Sequence, residues 1–397
     1  MNHRSRHTLL SILPALAAGL LISCHAATAQ EIVFPERWTK SLTEVPHIYT
    51  EDTVTIRILG DIMMHESQIT IARHDGGYDF STYFRHIEDE IRQADIAIAN
   101  MEFTLAGEPY SGYPCFSAPD EYAEYLADCG FDVFLTANNH IFDKGTKGAE
   151  RTIDIYRRLE SSRGIRYTGT ASDKEDLKQN NPLFIREKGI RIALVNATYG
   201  TNMGLQTLWP ATNRISDDEK ISEFLSEARS NADIVIALPH WGTEYNLKHS
   251  EAQEKTALRI AGYGADMIIG AHPHVIQDFQ TLEVEKGGRR TEVPVAYSLG
   301  NAVSNMSAAN TQLELMLTVT IIRKANGDIV TAPFEFTYLW CSRPGGYNDT
   351  YTVLPVLDQF GRMDEWKGRW EYDKMVATYE RVKKATGIKD KQDIANE

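Results

Sequence analysis

From Thr53 onward the chain alternates between short β-branched apolar runs and amphipathic stretches of helical period, and this alternation constrains the fold more than any other feature. Strands are read at 54–60 (VTIRILG), 95–100 (DIAIAN), 131–137 (FDVFLTA), 190–198 (IRIALVNAT), 233–239 (DIVIALP) and 265–271 (ADMIIGA). Helical patterns lie between them: one carrying Tyr83, Phe84, Ile87 and Ile91, then 120–130, 148–162, 217–230 and 251–264. Strands separated by helices pair in parallel, so this part predicts an α/β fold with a largely parallel sheet. After Gln277 the pattern changes to long β runs broken at Lys286-Gly287-Gly288-Arg289 and at Ala325-Asn326-Gly327-Asp328. Both are hairpin signals, and a mostly antiparallel sheet is expected there. Beyond Gly346 the tail is aromatic and charged, and reads as helical from about Arg369 to Ala385. The expectation is one domain over 53–345 with a helical appendage over 346–397.

The first 29 residues read as an export signal rather than as part of the fold. Arg4 and Arg6 precede an apolar run from Leu9 to Ile22, too short for a comfortable membrane span. Two endings are open. Ala27-Thr28-Ala29 fits ordinary signal peptidase, whereas Leu21-Ile22-Ser23-Cys24 resembles a lipobox whose Cys24 would be acylated and tether the protein to a membrane. Either places the mature protein in the periplasm or cell envelope. Cys115, Cys129 and Cys341 then remain, too few for a disulfide framework; a Cys115–Cys129 pair and buried free thiols are both open. The net charge of −14 argues against nucleic acid as a partner, because phosphate binding needs a basic footprint.

Ligands in open α/β sheets bind at the carboxyl ends of the parallel strands, so the residues just past each strand are the informative ones. The ends read Gly60-Asp61 with His65 nearby, Asn100-Met101-Glu102, Asn138-Asn139-His140 with Asp143, His240-Trp241-Gly242-Thr243-Glu244, and His272-Pro273-His274. Asp, Glu, Asn and His are the ligands of Mn, Fe and Zn. One such end is as well explained by a turn or a cap; five in succession point to a metal centre. Asp61, Glu102, Asn139, His240, His272 and His274 are the candidate metal ligands. Pro273 is expected to hold His272 extended, so that the rings at i and i+2 face one way. His140 and His65 are the candidate catalytic residues. Trp241, Glu244 and Asn301 are the candidate substrate-binding residues, although Trp241 and Tyr245 read equally as lid or core packing and Gly300-Asn301 as a tight turn.

The ordered set GDIMMH, IANMEFTL, LTANNHIFDKG, ALPHWGTEY, GAHPHV and YSLGN, running from about Thr53 to Leu339, resembles the CapA family of capsule synthesis, associated with poly-γ-glutamate. That family resembles the calcineurin-like metallophosphoesterases. The resemblance implies a four-layer αββα sandwich, two mixed β-sheets flanked by helices, with two divalent ions (Mn, Fe or Zn) at the strand ends. It implies that Asp61 stands at the first metal aspartate and Glu102 near the bridging carboxylate. Asn139-His140 would be the ligand and charge-stabilising pair, and His240, His272 and His274 the later ligands. Ile62-Met63 follows Asp61 where phosphoesterases carry Asp-x-His, so His65 would have to substitute. The expected function is metal-dependent hydrolysis of a phosphoester or polymer amide. The alternative is a non-catalytic accessory that binds capsule or envelope polymer, or a membrane-bound synthase.

Overall fold

The computed structural model describes residues 51–204 and 208–395. The leader, both of its possible endings and Cys24 lie outside the described residues.

The first strand, Asp52–Ile62, sets the architecture. Val54, Ile56 and Ile58 point to one face and Leu59 and Ile62 reach the other, so both faces must be covered. It lies at the centre of a nine-stranded mixed sheet. On one side run parallel neighbours Ile96–Met101, Val133–Leu135 and Arg166–Thr168, with Ile58 opposite Ile98 and Ile98 opposite Val133. On the other, Leu313–Arg323, Glu335–Ser342 and Thr352–Pro355 are antiparallel, with Val54 opposite Ile321. A second sheet of six strands runs in the order Phe279–Lys286, Arg289–Ala296, Met267–Ile269, Ile234–His240, Ile190–Thr198, Leu183–Glu187. Its four middle strands are parallel.

The two sheets face each other across an aliphatic core that includes Ile56, Ile98, Leu194, Ile236, Met267 and Leu315. Helices Asp120–Asp128 and Gly145–Arg163 cover the outer face of the first sheet, where Tyr122, Leu126, Ile153 and Tyr156 are buried. Helices Asp218–Asn231 and Glu251–Tyr263 cover the second through Phe224, Leu225, Ala257 and Ile260. The four-layer αββα sandwich is therefore the observed architecture.

The later β runs do not form a separate antiparallel sheet. Leu313–Arg323 is buried on both faces over most of its length, so it takes a central place beside the first strand. Phe279–Lys286 buries only Leu282 fully, which suits the edge of the second sheet. Its hairpin with Arg289–Ala296 turns on Gly287-Gly288, both at positive φ, as the glycine pair signalled. The segment after Gly346 is more than a helix. Thr352–Pro355 is a buried strand of the first sheet, and Met375, Tyr379 and Val382 of helix Arg369–Thr386 enter the inter-sheet core. Glu371, fully buried, ties that helix down by accepting hydrogen bonds from Ser342 Oγ (2.6 Å), Gln312 Nε2 (2.9 Å) and Arg343 N (3.0 Å). Cys115, Cys129 and Cys341 are free thiols.

Candidate metal centre

Strand ends from both sheets meet at one point. Asp61 ends the first strand at a close approach to the Ser298–Asn301 loop: its N–H donates to Gly300 O (3.0 Å), and a Cβ on Gly60 would lie 1.9 Å from that same oxygen. Only glycine lets the two backbones come so near. Asp61 accepts hydrogen bonds from Asn100 Nδ2 at Oδ1 (2.7 Å) and from His272 N at Oδ2 (3.1 Å). Glu102 follows strand Ile96–Met101 and is fully buried, yet neither of its carboxylate oxygens has a hydrogen-bond partner among the described residues. After the third strand, Asn139 Oδ1 lies 2.8 Å from His240 Nε2, and His140 Nδ1 lies 2.7 Å from Asp143 Oδ2. His140 Nε2 faces inward, 3.9 Å from Glu102 Oε1.

The second sheet supplies the other wall. His240 ends its strand with Nε2 3.6 Å from Glu102 Oε1. His274 Nδ1 is 3.5 Å from Asp61 Oδ2 and 3.8 Å from Glu102 Oε2. The expected extended geometry at His272-Pro273-His274 is not what positions these rings. His272 has φ +99° and His274 φ +58°. Such values cost a non-glycine residue about 1–3 kcal/mol and persist only where the surroundings impose them. Pro273 biases the residue before it toward extended backbone, and His272 departs from that bias where its N–H closes on Asp61 Oδ2. Asp61, Glu102 and His240 offer ligand atoms all within 4.8 Å of one another, and so do Glu102, His272 and His274. Glu102 is common to both groups.

The electrostatics suit a missing positive charge. Burial pushes the Glu102 carboxyl well above the ordinary range, and the Asp61 and Glu244 carboxylates push it further. Burial also acts to raise Asp61, but the hydrogen bond to His274, the charges of His240 and His274 and the Asn100 amide hold it down at about 2. Burial lowers His240 well below its usual value and, with the His274 charge, takes His272 down to about 3. His274 rises despite burial, because Asp61 faces it. The set therefore fits a divalent cation: two carboxylate oxygens of Glu102 and Nδ1 of His272, without hydrogen-bond partners among the described residues, lie beside the imidazoles of His240 and His272, which burial keeps neutral.

The remaining expected residues take other places. His65 caps helix Glu66–Ala72, its Nδ1 3.2 Å from Gln68 Oε1 and its ring edge-on to Phe116; it belongs to neither ligand group. Trp241 is buried in the outer core of the second sheet, stacked on Tyr297, with Nε1 donating to Tyr297 O (3.0 Å). Asn301 is buried with Oδ1 2.9 Å from His274 Nδ1, where it orients that ring. Glu244 is exposed, and its charge reaches Glu102 and His274. Tyr199 and Glu314 escaped the sequence reading, while Asn100 and Asp143 were read at their strand ends without a role of their own. Glu314 Oε1 accepts from Gly60 N (2.8 Å). Its signal was a lone acid inside the apolar run LELMLTV.

A carboxylate–histidine cluster shared between the strand ends of two facing sheets defines the class: an αββα protein with groups of buried residues that could hold a divalent metal. Residues 55–306 match the family described as bacterial capsule synthesis protein PGA_cap, and the chain belongs to it. It is 30% identical over 287 residues to the capsule biosynthesis protein CapA of Bacillus anthracis, covering 69% of this chain and 65% of that one. The chain thus spans just under two thirds of that relative's length. It is 25% identical over 315 residues to the PGA biosynthesis protein CapA of Bacillus subtilis (strain 168), covering 77% of each. Among solved structures it is similar to the NAD nucleotidase of Haemophilus influenzae (TM-score 0.44, 12% identity, 84% of this chain and 68% of that one). It is also similar to the 5'-nucleotidase of Candida albicans (TM-score 0.41, 11% identity, 83% and 58%).

Proposed function

We propose that the protein is an exported, CapA-type metal-dependent hydrolase acting on a phosphoester or amide bond of a capsule or envelope polymer. The observation that carries this reading is Glu102, a fully buried carboxylate with two unpartnered oxygens, common to both ligand groups. Two ions are proposed, one with Asp61, Glu102 and His240 and one with Glu102, His272 and His274, with Asn139 beside His240. Bound divalent ions supply a Lewis acid and an acidified water. The chain's own residues do the rest. Asn301 and Asn100 fix the orientation of His274 and Asp61. Asp143 holds the Nδ1 proton of His140, so that Nε2 faces the centre and can carry a proton to the leaving group. Export is supported by the basic start and apolar run of residues 1–29; acylation at Cys24 would anchor the protein beside a membrane-bound synthase.

The test is a hydrolysis panel on Mn-, Fe- and Zn-loaded protein, with phosphomonoesters, phosphodiesters and γ-glutamyl amides as substrates and Asp61→Ala and His274→Ala as controls. Turnover that requires metal and is lost in both variants is expected. A protein that holds its metal but turns over none of these would instead be an accessory of polymer assembly.

A further inference from the structure

Strand Glu335–Ser342 runs antiparallel to Leu313–Arg323, which runs antiparallel to the first strand. It therefore ends on the same rim as Asp61, and the residue that follows its end is Arg343. Arg343 is half-buried, and its Nε and Nη2 are buried with no hydrogen-bond partner among the described residues. Glu371, the carboxylate that touches this residue, accepts from its backbone N–H (3.0 Å) rather than from its guanidinium, and gives its other bonds to Ser342 and Gln312. Contacts link this strand end to the metal centre. Cys341 Sγ lies 3.7 Å from Ser304 O, and Ser304 Oγ accepts from Asn301 Nδ2 (3.2 Å), whose Oδ1 is the atom beside His274 Nδ1. Asn305 N, one residue on, lies 3.2 Å from His65 Nδ1. His65 in turn stands within reach of the charges of His274, Arg343 and His140.

We propose that Arg343 is a specificity-determining residue whose guanidinium receives an oxyanion of the substrate at the edge of the metal centre. That the anion belongs to a substrate rests on the hydrolase reading; the anion site does not. A guanidinium with buried, unbonded nitrogens is costly until a partner arrives, and its planar fork matches the paired oxygens of a carboxylate or a phosphate. With two divalent ions bound, the carboxylates of Asp61 and Glu102 are outweighed, so the loaded centre and Arg343 attract ligands of the same sign. The ions alone draw any anion to the point of cleavage. A second anchor beside them fixes which unit of a chain is presented there. Two groups carry the required chemistry: the free carboxylate of a γ-linked glutamate unit, and a phosphate.

Calorimetric titration of the metal-loaded full chain tests the site, with a γ-linked glutamate tetramer, the same tetramer with its free carboxylates amidated, and inorganic phosphate as probes. Because the ions attract either anion, the reading is the difference between the wild type and Arg343→Gln, not the affinity itself. Arg343→Gln is expected to weaken one anion about tenfold at unchanged metal content, while the amidated tetramer binds as it does to the wild type. A loss on the glutamate tetramer assigns the carboxylate; a loss on phosphate alone assigns the phosphate. Arg343→Lys, which keeps the charge without the fork, should recover part of the loss. Binding of neither anion, an Arg343→Gln variant that binds both like the wild type, or an equal loss on the amidated tetramer would each overturn the proposal. Anion binding that depends on Arg343 without turnover of any substrate would leave the site standing and count against the hydrolase. Turnover by Arg343→Gln at the wild-type KM would do the reverse.

Discussion

Replacing Glu102 by Gln tests the centre at the one residue its two ligand groups share. The amide keeps the volume of the side chain but offers a single weak, neutral donor oxygen. A site held at 100 times its dissociation constant stabilises the fold by about 2.7 kcal/mol. Unfolding entropy near 60 °C is about 2.1 cal/mol/K per residue, which for a folded body of this length is about 0.7 kcal/mol per kelvin. One ion should therefore raise the melting temperature by about 4 °C, and two by about 7–8 °C. Thermal melts of chelated protein with and without Mn, Fe(II) or Zn measure this directly. The wild type should show the shift; Glu102→Gln should lose both contributions, because both depend on the same carboxylate. Without metal the variant should melt no lower than the wild type, since the carboxylate it replaces is buried without a partner. A variant that keeps half or more of the shift would show that Glu102 is not the shared ligand. A wild type indifferent to all three metals would remove the centre altogether.

Three further outcomes are expected from the same geometry. Above pH 6.5, metal-free protein should lose stability as pH rises, because Glu102 and His274 have raised folded pKa values and bind protons more tightly folded than unfolded. Below pH 6.5 the depressed His240 and His272 act in the opposite sense and outnumber Glu102, which still gains stability down to its unfolded value of 4.5, so stability also falls on acidification; denaturation at several pH values, flat on both sides, would contradict this. Gly60→Ala puts a Cβ 1.9 Å from Gly300 O and should cost about 1–3 kcal/mol while weakening metal binding through Asp61; denaturant titration with a metal titration checks both, and a variant unchanged in each would be inconsistent with the close approach. Glu371→Ala removes hydrogen bonds from Ser342, Gln312 and the Arg343 backbone and should cost about 2–4 kcal/mol in a single cooperative transition, and a separate early melting of the tail would show that it folds on its own.

How much of this was legible in the sequence depended on whether a residue's role was local. Strand Ile190–Thr198 and helix Arg369–Thr386 follow from periodicity, and each predicted strand end lies at or near its strand's observed end. The six expected ligands converge because strands of one sheet direction end on one rim. Long-range partners were not legible. Glu314 acts on Gly60 across 254 residues, and Asn301 on His274 across 27, through pairings that no local pattern encodes. The two-sided burial that sends Leu313–Arg323 to the centre of the first sheet depends on a helix 46 residues further on that supplies part of its cover. His272 and His274 met the centre for a reason other than the one the sequence offered. Pro273 suggested extension, whereas chain closure around Asp61 imposed positive φ on both.

Strain at these two histidines is tied to how the centre is assembled. Asp61 and Glu102 come from the first sheet, and His240, His272 and His274 from the end of the second. The core between them is apolar, and aromatic side chains such as Tyr338, Trp340 and Tyr379 share it with the aliphatic ones. At the rim, polar contacts cross from one sheet to the other: His272 N to Asp61 and His240 Nε2 to Asn139. A cation held by ligands from both sheets would add bonds of the same kind at the same place, and its binding would then be linked to sheet-to-sheet alignment. Local φ strain at His272 and His274 is tolerable on those terms, because the residues that carry it are the ones a bound ion would hold.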